Sequence, residues 1–515
     1  MENNIMQNKE RETLHKAIWN IAENLRGSVE GWDFKSYVLG TMFYRYISES
    51  FAAYVDKDEH ASGNADFSYA DLSDAEAVTA RDYLVDTRGF FMLPSQLFCN
   101  VHARAARDKS DLNEVLEKAF RDIEASSKGR LSEKCFSGLF DDFDVSSNKL
   151  GATVAKRNEK LFTLLDGIAA MDLGECADHH NDTFGDAYEY LMAMYASNAG
   201  KSGGEFFTPA EVSTLLARIA TLGKTSVNKV YGPACGSGSL LLKAAKVLGE
   251  DNVTVGFYGQ DINITNYNLC RINMFLHGVR WEKLDIACDD TLTNPKHFDE
   301  EPFEVIVSNP PYSVKWPSND DATLINDERF SPDVFLAPKS KADLAFVMHC
   351  LSWLSTNGTA AIVCFPGVMC RGGAEQKIRK YLVDNNFVDA VIQLPDNLFF
   401  GTSISTCILT LRKNKTDNSV LFINASKECV KVTNNNKLSD ENIEHIISAY
   451  KDRNDIEYIA RLAPYEDIVA PDYNLSVSTY VELEDTREKI DEMIARIDQV
   501  INNMQEKQEI QKERS

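Results

Sequence analysis

The sequence predicts an α/β protein in which a doubly wound parallel sheet follows a largely helical region. Residues 1 to about 165 carry apolar side chains at helical spacing. From about residue 225, short β-rich runs alternate with helical segments, the pattern typical of a parallel sheet covered by helices on both faces. A glycine-rich turn joins the first of these runs to its helix. We therefore expect a helical domain over 1–165 and a sheet domain over 166–475.

The bulk composition limits the class of protein. A chain of 515 residues with 44% hydrophobic and 10% aromatic residues can bury full-sized cores in two or three domains. No apolar run approaches the roughly 20 residues needed to cross a bilayer, and the N-terminus lacks the apolar stretch of a signal peptide. Eleven cysteines without a C-x-x-C pair indicate reduced thiols in cores. We expect a cytoplasmic protein without a metal site or a membrane partner.

The formal net charge of −24 bears on possible partners. Affinity for DNA comes mainly from lysine and arginine side chains that replace counterions on the phosphates. Either DNA is not the substrate, or another chain supplies much of the positive surface.

The helical region begins with a stripe of apolar residues at helical spacing, which are Leu14, Ile18, Ile21 and Leu25. The aromatic-rich stretch SYVLGTMFYRYISESF follows, and we interpret it as a core helix rather than a binding surface. Turn-rich zones near residues 55–75 and 125–150 divide the region into smaller bundles.

Six runs in the second region are predicted to be strands, which are NKVYGPA, TVGFYGQDI, FEVIVSN, TAAIVCFPG, VDAVIQL and SISTCILTLRK. The short NLFFGT link between the last two predicts a hairpin, and hence one antiparallel strand at the edge of the sheet. Beyond residue 415 the pattern weakens.

The last segment, 476–515, is predicted to be a helical tail. Its apolar residues keep the 4-3-4-3 spacing of a coiled-coil seam, namely Ile490, Ile494, Ile497, Ile501 and Met504. A lone helix would expose this stripe to water, so we expect it to dock on a partner chain, with the protein's own body as the alternative.

A glycine-rich turn and an acidic residue predict a nucleotide-like ligand. The turn Pro233–Ser239 lies between a strand and a helix, where glycines allow close approach to the backbone and the helix offers free amides. Asp261 ends the next strand, where a carboxylate can accept hydrogen bonds from ribose hydroxyls, although a surface aspartate is the structural alternative. The dinucleotide fingerprint and a P-loop lysine are both absent, so a ribose-bearing ligand without a pyrophosphate fits best, such as S-adenosyl-L-methionine.

The stretch SNPPY ends a buried strand with an unusual set of residues. Pro310 and Pro311 remove two N–H donors, so the Pro310 carbonyl and the Asn309 side-chain oxygen can both act as acceptors for one NH2 group. Hydrogen bonds to both hydrogens of a base amine would stabilise the positive charge that develops on its nitrogen. Tyr312 would stack on a base removed from its helix. A plain strand-end turn is the structural alternative.

The chain closely resembles the modification subunit of type I restriction-modification systems over nearly its whole length. The segments that carry the resemblance include GWDFKSYVLG, GKSGGEFFTP, PACGSGSLL, FYGQDIN, SNPPYSVKW, KSKADLAFVMH, AAIVCFPG, RGGAEQKIR, NLFFGT and DYNLSVSTYV. The resemblance implies methylation of adenine N6 with S-adenosyl-L-methionine. It also implies the class I methyltransferase fold, a Rossmann-like sheet of seven strands with the last one antiparallel.

The resemblance further assigns roles to residues of this sequence. The methionine end of the cofactor would contact Glu205, Phe206, Phe207, Thr208 and Pro209. Its backbone cradle would be Gly236, Ser237, Gly238 and Ser239, with Asp261 at the ribose and Asp290 at the adenine ring. The catalytic set would be Asn309, Pro310, Pro311 and Tyr312. The cofactor segment precedes the glycine loop and N-P-P-Y follows it, an order that favours adenine N6 over cytosine N4.

The family also implies partners that resolve the charge objection. Its modification subunits work as a pair on one specificity subunit that reads double-stranded DNA, and the same core recruits the translocating restriction subunits. The acidic balance and the C-terminal stripe both suit such a chain.

We expect a flipped adenine to stack on Tyr312 and on Phe399 or Phe400 of the NLFFGT link, with no covalent intermediate on the enzyme. Cys235 is interpreted as a packing residue. His277 and His349 lie in helical runs and are interpreted as structural.

One position departs from the family, which usually carries aspartate where this chain has Gly232. Glu205 could take over the role, or the substitution could leave a catalytically impaired scaffold that only holds the specificity subunit. A methyltransferase acting on a glutamine amide or on RNA would use similar N-P-P-Y chemistry, and these two activities stay open as alternatives.

Overall fold

The computed structural model describes Lys16 and residues 31–173, 183–198, 208–330, 336–399, 403–432 and 435–482. The predicted apolar stripe near the N-terminus and the predicted coiled-coil seam lie outside the described residues. No helix within the described ranges has both the length and the apolar character that crossing a bilayer requires.

Residues 31–173, here called the helical region, contain seven described α-helices. They are α1 Gly31–Ala61, α2 Asp74–Ala77, α3 Arg81–Arg88, α4 Phe98–Arg107, α5 Leu112–Ser126, α6 Glu133–Phe136 and α7 Val154–Ala169. The aromatic-rich stretch lies in α1, where Phe43 and Tyr44 are fully buried, so its interpretation as a core helix is confirmed.

The rest of the described chain alternates between strands and helices. The strands are β1 Val227–Gly232, β2 Val253–Asp261, β3 Leu284–Cys288, β4 Phe303–Ser308, β5 Leu354–Cys364, β6 Val388–Gln393, β7 Cys407–Arg412, β8 Val420–Asn424, β9 Val430–Val432, β10 Asn435–Lys437 and β11 Ala460–Ala463. The helices are α8 Thr183–Asn198, α9 Ala210–Thr221, α10 Ser239–Leu248, α11 Ile264–Leu276, α12 Ala322–Ile325, α13 Asp343–Trp353, α14 Ala374–Asp384, α15 Asp440–Asp452 and α16 Tyr465–Val469. Each of the six predicted strand runs overlaps a strand, although β1, β2 and β5 begin before their runs.

Nine of the described strands form one sheet in the order β3-β2-β1-β4-β5-β7-β6-β8-β11. Strand β7 is antiparallel to both of its neighbours, and β11 is antiparallel to β8. The first seven strands of the chain occupy adjacent positions, which confirms the predicted methyltransferase sheet, and β8 and β11 extend it beyond β6.

The predicted position of the antiparallel strand was wrong. The hairpin between β6 and β7 exists, but β7 lies between β5 and β6 rather than at the edge. The first five residues of β7 are all buried, and a strand without a polar face needs a neighbour on each side and cover on both faces.

Helix α11 joins the sheet to the helical region. The guanidinium of its Arg271 is almost fully buried and donates a 2.8 Å hydrogen bond to the carbonyl of Ser137. Asn268 donates to the carboxylate of Asp142 at 3.1 Å, and the rings of Phe136 and Phe275 stack at 5.3 Å. Because α11 follows β2 directly, these contacts attach the helical region to the sheet domain through this helix.

Candidate active site

The carboxyl ends of β1, β2, β3 and β4 meet at a cavity of about 350 Å³. Ligands of open parallel sheets bind at this edge, so the location agrees with the sequence-based expectation. The predicted site residues that line the cavity are Thr208, Gly236, Ser237, Ser239, Asp261, Asp290, Asn309 and Pro311. Cofactor and catalytic motifs that lie about 100 residues apart in the chain therefore share one space.

The glycine loop connects β1 to α10 and depends on left-handed backbone. Gly236 has φ 54° and Gly238 has φ 80°. A Cβ added to Gly238 would lie 2.8 Å from the Cys270 sulfur. Both this steric contact and the left-handed backbone therefore disfavour any side chain at position 238. The carbonyl of Ser237 accepts a 2.9 Å hydrogen bond from Asn273, which fixes the loop against α11.

Asp261 ties the end of β2 to the glycine loop. Its carboxylate accepts hydrogen bonds from the backbone N–H groups of Gly236, at 3.0 Å, and Asn263, at 2.9 Å. Burial raises the pKa of this carboxyl, and the backbone hydrogen bonds act in the opposite direction. The Asn266 amide also donates to it, at 3.3 Å, so three of the roughly four acceptor positions of the carboxylate are used and one is left for a ligand.

The fully buried Gln260 fixes the loop after β3 through hydrogen bonds to the loop backbone. The Gln260 amide donates to the carbonyls of Asp289, at 3.1 Å, and Asn294, at 3.0 Å, and its oxygen accepts from the Lys296 N–H at 2.9 Å. Asp290 lies within this loop and accepts a 2.9 Å hydrogen bond from the N–H of Leu292. Every polar atom of the Gln260 side chain therefore serves to shape the loop.

Arg329 also fixes the loop after β3. No sequence motif indicated this role for Arg329. Its side chain is only 5% exposed and donates to the carbonyls of Thr291, at 2.9 Å, and Leu292, at 2.7 Å. Asp327 balances its charge at 2.6 Å. The Thr291 hydroxyl in turn donates to the carbonyl of Pro233 at 2.5 Å, so the loop after β3 and the glycine loop are connected.

His349 completes this buried network beneath the cavity. Arg329 donates to its Nδ1 at 3.1 Å, so the ring proton is on Nε2, which lies 3.0 Å from the Tyr231 hydroxyl. Burial, followed by the neighbouring Arg329 charge, lowers the pKa of His349 well below the usual histidine value. The ring therefore stays neutral and has the structural environment predicted for it.

Asn309 follows β4 at the cavity wall. Its amide nitrogen donates to the Thr208 hydroxyl at 3.0 Å, and its amide oxygen accepts from the Tyr312 hydroxyl at 2.8 Å. Tyr312 is half-buried and Pro310 is buried, and neither lines the cavity. Burial raises the pKa of Tyr312 well above the usual tyrosine value. The amide oxygen thus already has one hydrogen-bond donor and room for a second.

Several other residues singled out from the sequence lie elsewhere. Glu205, Phe206, Phe207 and Phe400 are outside the described residues, and Pro209 is buried at the start of α9. Phe399 is 2% exposed and packs in the main core, so its ring is not available to stack on a base in this arrangement, contrary to the expectation. Cys235 is buried, and its pKa is raised well above the usual thiol value by a hydrogen bond with Cys270 and by burial.

Gly232 ends β1 in apolar surroundings. A Cβ built there would lie 3.4 Å from Leu241 and 3.5 Å from the Cβ of Cys235, which are ordinary packing distances. Asp261 on the neighbouring strand holds the glycine loop through its hydrogen bond with the Gly236 N–H.

Apolar side chains to which the sequence analysis gave no role form much of the cavity wall. They are Ile262, Leu292, Trp316 and Phe346. Ile262, Trp316 and Phe346 lie in the segments FYGQDIN, SNPPYSVKW and KSKADLAFVMH that carry the family resemblance. Ile262 is 71% exposed, which is unusual for isoleucine. A flat apolar ligand surface would cover it.

The described residues contain no group of three or more His, Cys, Asp or Glu side chains placed to hold a metal ion. The polar chemistry of the cavity consists of carboxylates, amides, hydroxyls and one lysine.

Comparison with known proteins gives consistent results. The N-6 DNA Methylase family model matches residues 179–489, and the HsdM N-terminal domain model matches residues 14–168. The chain is 48% identical over 516 residues to the type I restriction enzyme MpnII methylase subunit of Mycoplasma pneumoniae, a match that covers 97% of this chain and 95% of that protein. It is 36% identical over 401 residues to the MjaVIII methylase subunit of Methanocaldococcus jannaschii, covering 74% and 67% of the two chains.

A solved structure has the same architecture. The type I restriction-modification system methyltransferase subunit from Streptococcus thermophilus is 38% identical and superposes with a TM-score of 0.82, covering 92% of this chain and all of that one. With the sheet order and the position of the N-P-P-Y motif, these matches show that the chain belongs to the N-6 DNA methylase family, as an adenine-specific methyltransferase subunit of the type I restriction-modification class.

Proposed function

We propose that the chain binds S-adenosyl-L-methionine in the cavity at the carboxyl ends of β1–β4, and that Asn309 positions the N6 amine of a flipped DNA adenine beside it. One observation carries this proposal. Gly236, Asp261 and Asn309, which come from the cofactor and catalytic motifs, line the same cavity.

The residues of the cofactor half fit this ligand. Two left-handed glycines leave the loop backbone open to close approach, and Asp261 keeps acceptor capacity for one ribose hydroxyl beside its three present donors. Ile262, Leu292 and Phe346 offer an apolar slot for a purine ring, with Asp290 at its edge. The bound cofactor would supply an electrophilic methyl group on a sulfonium sulfur.

Asn309 would bind and orient the adenine amine. Thr208 accepts from its amide nitrogen, which leaves the amide oxygen as the acceptor for an N–H of the base. The Pro310 carbonyl is proposed as the second acceptor, because its own residue and the next one carry no N–H donor. Two such acceptors stabilise positive charge on the nitrogen as it reacts, and Pro311 fixes the backbone between Pro310 and Tyr312.

Tyr312 would act on the face of the target base. Its hydroxyl now donates to Asn309, so the incoming amine must replace or share that hydrogen bond. The ring now packs against the main core and is outside the cavity lining, so it would have to turn towards the cavity to stack on the flipped purine. No covalent step on the protein is proposed, since Cys235 is buried and its raised pKa keeps it a thiol.

We also propose the assembly in which this chain acts. The relatives are methylase subunits of type I restriction enzymes, which implies a specificity subunit, a second copy of this chain and a restriction subunit as partners on double-stranded DNA. The net charge of −24 supports delegation of DNA reading to another chain. The proposed units are the helical domain 1–165, the catalytic domain 166–475 and the tail 476–515, with the complex acting in the cytoplasm.

The test uses the full chain with and without its specificity subunit. Calorimetric titration measures cofactor affinity, and transfer of a labelled methyl group to unmodified plasmid DNA measures activity. We expect cofactor binding by the chain alone and methyl transfer only in the complex. Asn309→Ala should lower kcat by roughly 100-fold or more, since it removes a charge-stabilising group, while the cofactor Kd stays near the wild-type value.

Asn385→Ala is the matched control, because Asn385 is an exposed amide at the end of α14 and should retain full activity. Unimpaired methyl transfer by Asn309→Ala would refute the role given to this residue. A wild-type chain that binds no cofactor would refute the proposal as a whole and would favour the scaffold alternative.

A further inference from the structure

We propose that Lys315 and Lys341, here called the basic rim, bind backbone phosphates of the DNA strand that delivers the target adenine. This inference rests on the proposed function of the cavity. Lys315 alone carries a positive charge among the described residues that line the cavity, and it lies four residues beyond Pro311, also in the lining. Its side chain is exposed.

The backbone on both sides of Lys315 is fixed. The N–H of Trp316 donates to the carbonyl of Lys339 at 3.1 Å, and the N–H of Ala342 donates to the carbonyl of Val314 at 2.9 Å. These bonds pair segment 314–316 with segment 339–342, so the backbones of Lys315 and Lys341 lie on two adjacent, paired segments. A positioned backbone reduces the entropy lost when a flexible lysine binds an anion.

The two lysines differ in how their charges are satisfied. No carboxylate in the described part of the chain forms an ion pair with Lys315. Lys341 lies near the buried Glu375, a carboxyl that it shares with Arg371. The neighbouring Lys339, in contrast, forms an ion pair with Asp320. Of the two rim lysines, Lys315 is therefore the one whose charge is less compensated by neighbouring carboxylates.

The position of the rim indicates an extended anion rather than a small one. Lys315 is in the cavity wall, whereas Lys341 is outside the lining, so a ligand that touches both must run past the cavity mouth. A cofactor carboxylate enclosed in the cavity cannot do so. A DNA strand can, because its phosphates continue on each side of an extruded nucleotide.

The overall charge strengthens the argument for a local cation. A chain of net charge −24 repels DNA at long range, and positive groups near the point where the base enters would offset this repulsion locally. Phosphate contacts fix position and carry no sequence information. The basic rim would thus position the strand, while sequence reading remains with the specificity subunit.

The test is the salt dependence of DNA binding by the assembled complex. Fluorescence anisotropy of a labelled duplex gives Kd over a range of salt concentrations, and calorimetry gives the cofactor Kd. For Lys315→Gln we expect the slope of log Kd against log salt to fall by about 1, and DNA binding to weaken roughly five- to tenfold near 0.1 M salt. Cofactor affinity should stay unchanged. Lys341→Gln should act in the same direction.

Two control variants make the comparison specific. Lys339→Gln removes a lysine already paired with Asp320, so its effect on the slope should be smaller. Lys451→Gln removes an exposed lysine of α15 outside the cavity lining and should leave DNA binding at the wild-type value.

Unchanged Kd and slope in Lys315→Gln, with the wild-type complex active, would overturn this inference alone. Weaker cofactor binding with normal DNA binding would assign Lys315 to the cofactor carboxylate and would also overturn it. Absence of methyl transfer by the wild-type complex would instead count against the proposed function.

Discussion

The two halves of the cavity are held in different ways. In the cofactor half, buried side chains fix each loop, since Gln260 and Arg329 hold the loop after β3, and Asp261 and Asn273 hold the glycine loop. In the half proposed for the target base, Asn309 bonds only to two hydroxyls among the described residues. The half proposed for the cofactor thus has its loops fixed by buried side chains, and in the proposed mechanism the half for the base exchanges hydrogen bonds when its substrate binds. Substitutions should divide accordingly between cofactor affinity and DNA-dependent rate.

The largest effect is expected from Gly238→Ala. The new Cβ would meet the Cys270 sulfur at 2.8 Å and would sit on a residue with φ 80°. Left-handed strain and overpacking together should cost about 2–5 kcal/mol of unfolding free energy. Denaturant unfolding measures this loss, and calorimetry should show that the cofactor no longer binds measurably.

Gly223→Ala separates the two causes, because Gly223 has φ 76° and nothing within 4 Å of a Cβ. It should lose about 1–2 kcal/mol from strain alone and keep cofactor binding. Equal losses in the two variants would mean that close packing of the glycine loop does not contribute.

Arg329→Met is expected to act next in size. Methionine fills similar space but leaves the carbonyls of Thr291 and Leu292 without their charged donor. Charge-assisted hydrogen bonds of this kind contribute about 1.5–3 kcal/mol, so the KM for cofactor should rise roughly 10- to 100-fold. The kcat at saturating cofactor should stay within a few-fold of wild type, because Arg329 does not line the cavity.

Arg379→Met is the matched control for this variant. Arg379 is equally buried and also donates to carbonyls, those of Val368 and Tyr473, which do not line the cavity. It should lose stability without a change in the cofactor KM. A similar KM increase in both variants would mean that Arg329 acts through general stability alone.

Asp261→Asn should produce a smaller effect that depends on pH. Burial raises the pKa of Asp261, and in the proposed role its ionised carboxylate accepts a hydrogen bond from the ribose, so cofactor affinity should fall as pH drops through this raised pKa. For the free protein the sign is opposite. A raised folded-state pKa contributes stability below the unfolded pKa, near 3.9, that is lost as pH rises through the folded pKa.

The Asp261→Asn variant should bind cofactor about tenfold more weakly near neutral pH. Because asparagine does not titrate, neither the cofactor affinity nor the unfolding free energy of this variant should show the pH dependence described above. Titration of affinity and of unfolding free energy from about pH 4 to pH 8 measures both, a range that begins near the reference aspartate pKa. A wild-type affinity that is flat over this range would contradict the role of the carboxylate.

Tyr312→Phe should give the smallest change and tests the base half. The variant keeps the ring but removes the donor to Asn309, so the incoming amine no longer competes with a hydroxyl. One net hydrogen bond corresponds to about 0.5–1.5 kcal/mol, which predicts a KM for DNA roughly two- to tenfold lower at similar kcat. Tyr312→Ala, which removes the stacking ring, should instead lose most activity. An increased KM for DNA in Tyr312→Phe would show that the hydroxyl assists binding.

Much of the sheet could be predicted because its strands are long apolar runs with clear ends. Strand β3 was missed since Asp285 interrupts its five residues and no continuous run remains. Strand β11 has only four residues, two of them buried, and acquires its identity from pairing with β8 rather than from its own pattern. The place of β7 inside the sheet depends on burial of both faces, which a hairpin link does not reveal.

The candidate site was predictable where a motif carries the chemistry within a few residues. The glycine loop, Asp261, Asp290 and Asn309 meet at the cavity as expected, although their roles stay predictions. The roles of Arg329 and Gln260 were not predicted. Both side chains hydrogen-bond to backbone carbonyls or N–H groups, and every residue type can supply a backbone carbonyl, so the sequence of the loop does not indicate these contacts. The Tyr312 hydroxyl bond depends on a side-chain rotation that local sequence does not determine.

The attachment of α11 has a consequence for dividing this protein into pieces. Cleavage that removed everything before residue 174 would strip Arg271 of three main-chain acceptors, on Lys134, Cys135 and Ser137, and leave its charge in a newly opened apolar face. That face would lie on the helix whose Asn266 lines the proposed cofactor cavity. An isolated catalytic fragment should therefore be prone to aggregate. Evolution could exchange the two parts between relatives only if the contacts between α11 and the helical region were exchanged with them.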